Sequence, residues 1–283
     1  MVISHINQLA CSQTTVPDHT IMCRASTRLV LFLLICHVES PQSNCDRASR
    51  LTVYDQKLSF CDAHSKCFEA AKIKGLLGFM RGRCIDRYLA GDTQAEAMWI
   101  NVHALMHRET TVTDSEWVYG ESNEPRSEED VELHPVHRPG DHTDGYRVVV
   151  VDARNRLVRY TTVSSFADAV ACQETVSIDN KRKIRKEKFQ EVRPKRNETW
   201  FATANFSVGC FKRDRSSTAM NCVLKCHLDL KCRSCYFNQD NKACVLTQFV
   251  DSLMNETSGN EVLLTWQRFA RPSWKLDNGE LIS

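Results

Sequence analysis

Residues 222–238 read Cys222-Val223-Leu224-Lys225-Cys226-His227-Leu228-Asp229-Leu230-Lys231-Cys232-Arg233-Ser234-Cys235-Tyr236-Phe237-Asn238. Cys222 and Cys226 are four apart, which places both on one face of a helix over roughly Thr218–Leu228, with Asp229 and Lys231 at its exit. Arg233–Asn238 reads as a strand, Asn238-Gln239-Asp240-Asn241 as a turn, and Ala243-Cys244-Val245-Leu246 as the returning strand. A helix clipped onto a hairpin by cysteines is the implied geometry. About 75 residues surround this motif, near the limit at which a hydrophobic core suffices without staples.

Whether those cysteines are oxidised depends on the compartment. Arg24 and Arg28 precede an apolar run, Leu29–Val38, the pattern of a secretory leader and too short for a bilayer span. The expectation is therefore a signal peptide over 1–43, with Met22 as an alternative start, and a secreted, extracellular chain with no transmembrane anchor. Of the 14 cysteines, 11 lie beyond the leader. Disulfides are the default in that setting. Three acceptor sequons, at Asn197, Asn205 and Asn255, point to a glycoprotein. Zinc remains the rival reading for Cys232-x2-Cys235.

The whole 283-residue chain carries 37 Lys and Arg against 35 Asp and Glu, a net charge of +2, which argues against nucleic acid as partner. Charge is nevertheless unevenly placed. Lys181–Arg196 holds nine basic and two acidic residues, while Asp114–Glu132 holds eight carboxylates against Arg126. The basic stretch reads as a solvated linker over 176–196 between two modules. Two functional readings accompany it. Lys181, Arg182, Lys183, Arg185, Lys186 and Lys188 suit a sulfated glycan, and Arg193-Pro194-Lys195-Arg196 has the form of a furin-like convertase site cut after Arg196.

Cys222-x3-Cys226-x5-Cys232, the aromatic strand, Cys244-Val245-Leu246 and the Trp266–Phe269 segment resemble the PAN/apple domain, over 197–272 with a tail at 273–283. The resemblance implies nested bonds, Cys222 with Cys244 and Cys226 with Cys232, leaving Cys210 for Cys235. It also implies a module that binds proteins or carbohydrates and performs no chemistry.

In the first half, Phe60, Ala63, Cys67, Ala70 and Ala71 recur at helical spacing. Aromatic strands follow at Met98–Val102 and Glu116–Gly120, then a polar insertion, a terminal hairpin (Tyr146–Val151 and Leu157–Val163) and Ala169–Gln173. This order predicts an α+β module over 44–175. It resembles a degenerate C-type lectin-like domain: the helix ending in Cys67, the Trp99-Ile100 strand and the closing Cys172-Gln173 strand match that family's landmarks. The resemblance implies a Cys67–Cys172 bond. The family's second bridge, expected from Val149 or Val150 to Val163–Ser165, has no cysteines here. Its calcium triplet is represented by Asn123-Glu124-Pro125-Arg126, but Val158-Arg159-Tyr160 stands where further oxygen ligands belong. Calcium needs six to eight oxygens, so no cofactor or metal is expected.

The insertion also carries His134-x2-His137 and Asp141-His142-x-Asp144, open to a metal-site reading but more simply a solvated loop. Cys45, Cys61 and Cys84 allow one bridge among three candidates, and the odd thiol could join two chains into a dimer. Together these features describe two small disulfide-stapled α+β modules in a secreted recognition or adhesion protein for extracellular protein or glycan ligands. The alternatives are a secreted hydrolase or zymogen processed after Arg196, and sulfated-glycan binding through the basic stretch. No catalytic signature such as a nucleophile elbow or zinc-protease helix is present.

Overall fold

A computed structural model describes residues 51–83, 85, 95–107, 117–122, 125, 134–135, 146–152, 154–155, 157–177, 187–193, 201–202, 209–255 and 266–271. The expected leader, Cys45, Cys84, Asn197 and Asn205 lie outside these residues. No helix among them is long and apolar enough to cross a membrane.

The first sheet is built around one long strand. β1 (Leu51–Ser59) leads directly into α1 (Phe60–Lys72), followed by β2 (Leu76–Met80), β3 (Met98–His103), β4 (Val118–Tyr119), β5 (His134–Pro135), β6 (Val148–Asp152), β7 (Leu157–Thr161) and β8 (Phe166–Ser177). The sheet runs β1-β8-β3-β6-β7-β5, with β2 also on β8 and β4 on β3. β1 and β8 pair antiparallel from Leu51↔Gln173 to Ser59↔Phe166, so the two ends of this half meet. Ser59 caps α1 by accepting from the Asp62 amide at 3.3 Å. Phe60, Ala63, His64, Cys67, Phe68 and Ala71 form the buried stripe of α1, and Cys67 is bonded to Cys172 of β8. Gly78 permits the close approach of β2, since a β-carbon there would lie 2.2 Å from the Cys67 carbonyl oxygen. Trp99 is fully buried in β3, donates to the Leu58 carbonyl at 2.7 Å and meets the Phe60 ring edge-on at 5.4 Å.

The second sheet comprises β9 (Gln190–Val192), β11 (Phe211–Arg215), β12 (Cys232–Asn238), β13 (Ala243–Gln248) and β15 (Trp266–Ala270), in the order β11-β13-β12-β15-β9. β10 (Phe201–Ala202) and β14 (Met254–Asn255) form a separate parallel pair. α2 (Ala219–Leu228) starts at Thr218, whose side chain accepts from the Asn221 amide at 3.2 Å. It is clipped to β13 by Cys222–Cys244 and to β12 by Cys226–Cys232. The hairpin turn is an Asx turn, with Asn238 Oδ1 accepting from the Asp240 and Asn241 amides at 2.9 and 3.2 Å.

Two expectations are corrected. Cys210 is bonded to Cys61 of α1, not to Cys235, which is a buried free thiol. The reason is placement: Cys235 lies in the core beneath α2, whereas Cys210 precedes β11 on the side that meets α1. Residues 187–193 of the expected linker are likewise no solvated spacer. β9 pairs with β15 (Arg268↔Val192 to Ala270↔Gln190), so this part of the basic stretch is the edge of the second sheet. Its charges are tolerated because strand edges keep their side chains in water.

The two sheets share one core and belong to a single compact unit over 45–283. Phe60, Trp99, Leu105, Val148 and Val170 of the first half pack with Tyr236, Val245, Val250, Leu253 and Trp266 of the second.

Candidate functional site

Two zones present polar groups in a defined geometry: the end of the first sheet to which the insertion returns, with the turn after β4, and the seam where the second half docks.

At the sheet end, His103 stands opposite both Val118 of β4 and Val148 of β6, so the chain segments after β3, before β4 and before β6 gather there, and the insertion that leaves β4 past Tyr119 returns to this end at β6. Glu121, just past β4, is completely buried and accepts from the Gly82 and Arg83 amides at 2.9 and 2.7 Å, with the Arg81 Nε at 3.8 Å. Burial pushes its carboxyl up, against the opposing pull of Arg81 and the two amides. Gly120 is required beside it because a β-carbon would meet Asn101 Oδ1 at 2.0 Å. This turn is a rigid anchor for the insertion.

Of the insertion itself, Pro125 bridges to Val118, and His134 lies in β5 beside Leu157 of β7. Asn123, Glu124, His137, Asp141, His142 and Asp144 lie outside the described residues. On β7, Val158 and Tyr160 are buried while Arg159 faces solvent. Among the described residues, no three His, Cys, Asp or Glu side chains stand where they could hold a metal ion.

The seam joins α1, the end of β3 and the second sheet. His64 and His103 are each 1% exposed and Arg233 is 2% exposed. His103 accepts at Nδ1 from the Leu105 amide at 3.4 Å, which puts its proton on Nε2. The Leu105 carbonyl in turn accepts from the Leu253 amide at 3.0 Å, a backbone link across the seam. Arg268 is ion-paired with Asp251, which also accepts from Ser234 Oγ at 2.7 Å. The Tyr236 hydroxyl donates to the Ser252 carbonyl at 2.8 Å.

Burial, reinforced by Arg233, lowers His103 to about 3, with Asp251 opposing. Burial also lowers His64 well below the ordinary histidine range, with His103 and Arg233 adding to it. Both imidazoles are therefore neutral. Burial brings Arg233 down to about 9, Asp251 and Glu121 resisting and Arg271 assisting. Burial opposes the charge on Arg268, but Asp251 and Tyr236 outweigh it and raise that group. Such an arrangement holds surfaces together and orients them.

A second polar knot fixes β9. Glu187 is ion-paired with Arg271, whose Nε is 3.0 Å away, and lies 2.9 Å from His227 Nδ1, while Arg271 donates to the Cys232 and Cys226 carbonyls at 2.7 and 2.8 Å. Of the basic-stretch residues, Lys188 is exposed and Arg193 is 84% exposed at its side chain. Lys181, Arg182, Lys183, Arg185, Lys186, Lys195 and Arg196 lie outside the described residues. Asn255 lies in β14. Burial pushes the Cys235 thiol up to about 12, which leaves it protonated and unreactive.

Sequence reasoning missed Arg233, His103, Asp251 and Arg268. The available signal was charge inside strands: Arg233 lies between two cysteines and Arg268 between aromatic residues, positions where a charge is costly unless partnered.

No protein-family profile matches the chain, and no curated protein does. Among solved structures the chain is similar to the C-type lectin CEL-I from Cucumaria echinata, at 9% identity over 44% of this chain and 89% of that one, with a TM-score of 0.34. It is similar as well to TC14, a C-type lectin from the tunicate Polyandrocarpa misakiensis, at 12% identity over 45% and 98%, TM-score 0.34.

Proposed function

We propose that the chain is a secreted recognition protein that binds glycan or protein ligands without catalysis. In this reading 44–175 is a lectin-like scaffold and the second half is PAN/apple-like, with its boundary moved back to take in β9. The observation that carries the proposal is the sheet end at His103, Val118 and Val148, where the insertion returns to a rigid, disulfide-clamped scaffold. Long polar loops on a fixed frame are the usual carriers of binding. Support for the lectin-like reading comes from the pairing of β1 with β8, the Cys67–Cys172 clamp and the Trp99 strand. Support for the other comes from α2 held by Cys222–Cys244 and Cys226–Cys232 across a hairpin. Extracellular residence follows from the leader and from these oxidised cysteines.

The test uses the full glycosylated chain from a eukaryotic secretory host on glycan and extracellular-protein arrays. Binding that disappears when 126–133 is replaced by a Gly/Ser segment, with the thermal midpoint kept, is expected. Binding indifferent to that replacement, or hydrolysis of an array ligand, overturns the proposal. Sulfated-glycan binding is the second reading, favoured by the exposure of Lys188 beside the docked β9. It requires heparin retention that falls steeply with salt and is lost when Lys181, Arg182, Lys183, Arg185, Lys186 and Lys188 are replaced by Gln.

A further inference from the structure

The segment that joins the two halves is held under strain and seated on uncharged histidine. Phe249, immediately after β13, has φ of +66°, a region that bulky side chains avoid. The Val250 amide donates to the Gln248 carbonyl at 2.7 Å across it, closing the rare three-residue turn that such a φ produces. This backbone persists because both ends are tied: the Phe249 amide donates to the Lys231 carbonyl at 2.7 Å, and the Leu253 amide to the Leu105 carbonyl at 3.0 Å. The strained turn delivers the Phe249 ring onto His64 of α1, stacked at 5.3 Å and 10°, while Phe60 meets the other side of that imidazole edge-on at 4.7 Å. Val250, Leu253 and Met254 then enter the shared core, alongside the backbone just beyond His103.

We propose that this seam is an acid-responsive joint: proton uptake by His64 and His103 undocks Phe249–Met254 from the first half, while Cys61–Cys210 keeps the two halves tethered so that the opening reverses.

The charged and titratable groups facing the pair decide the sign. His64 faces His103 from β3 and Arg233 from β12; His103 faces Arg233 and, from the joining segment, Asp251. Asp251 is occupied by Arg268 and Ser234. A proton on either imidazole therefore meets another cation and apolar rings, with its natural counter-ion engaged elsewhere. Neither His64 Nε2 nor His103 Nε2 has a hydrogen-bond partner among the described residues, so no acceptor welcomes the charge. When the seam opens, both rings reach water and titrate near 6.5. The open form thus binds protons first, and acidification favours opening from about pH 6.5 downward until the closed form also titrates. For His103 alone, with about 3 in the closed form, the open fraction grows about 100-fold between pH 7.5 and 4.5. His64 acts in the same direction.

The test is hydrogen exchange on the full oxidised chain at pH 7.5, 6.0 and 4.5, corrected for intrinsic exchange. Peptides covering 249–254 and 60–68 are expected to lose protection about 100-fold or more at pH 4.5 and regain it at pH 7.5, while β12 and β13 keep theirs. His103→Gln should weaken that response, His64→Gln with His103→Gln should abolish it, and His107→Gln should leave it intact. Seam peptides that stay protected at pH 4.5, equal loss across β12 and β13, or a His64→Gln/His103→Gln variant with the unaltered response each overturn the proposal. If these variants fail to fold, the wild-type chain decides: loss beginning below pH 6.5 supports it, and loss confined below pH 4.5 refutes it.

Discussion

The two halves solve the same problem by different means. In the first, a 12-residue β8 pairs with β1, β2 and β3, and a continuous apolar interior centred on Trp99 is joined, among the described residues, by one internal bridge, Cys67–Cys172. In the second, a ten-residue helix packs on a small sheet, and much of the core between them is cysteine: Cys222, Cys226, Cys232, Cys235 and Cys244. Where apolar area is plentiful a staple is an addition; where it is scarce the staples stand in for core. The contrast also explains why the second half leans its Tyr236, Leu253 and Trp266 on the first.

The largest effect should come from the link between them. Cys61→Ala with Cys210→Ala removes a bridge whose ends are 149 residues apart, worth on the order of 4–5 kcal/mol in chain-entropy terms. Denaturant unfolding should then split into two transitions if the halves hold themselves, and stay single if the shared core alone couples them. The same bond bears on processing: a chain cut after Arg196 should run as one species without reductant and as two with it. Next, Trp99→Ala should cost about 3–5 kcal/mol, read as a fall in the denaturant midpoint, because it empties the first half's interior. Slightly smaller is Cys222→Ala with Cys244→Ala, about 2–4 kcal/mol, with the loss of exchange protection concentrated in α2 and β13. If that loss spread equally into β1 and β8, the halves would have to be regarded as one cooperative body. Smallest are the helix caps. Ser59→Ala and Thr218→Ala should each cost about 1 kcal/mol in thermal or chemical denaturation, since each leaves one amide of the first turn without its acceptor.

Much of each half was legible locally. The apolar spacing from Phe60 to Ala71 places α1, and the structure starts that helix at Phe60. The Asn238–Asn241 turn chemistry places the hairpin, because Asx side chains mimic backbone acceptors within three residues. Cysteines separated by 6 and 22 residues, as in Cys226–Cys232 and Cys222–Cys244, lie within one supersecondary unit. The site was less legible. Glu121 sat within an acidic run and read as solvated charge, yet the turn after β4 carries it into the interior. Glu187 sat within a basic run and is buried against Arg271.

By itself, then, the sequence determined the elements: two helices, a cysteine-bound hairpin, a valine-rich strand, and a mixed α+β composition. These follow from periodicity and turn preference, which act over a few residues. The tertiary structure alone decided the partner of Cys210, the attachment of β9, the free state of Cys235 and the meeting of His64, His103 and Arg233. Those depend on which two finished surfaces come into contact, and contact between surfaces more than a hundred residues apart leaves no local period in the chain.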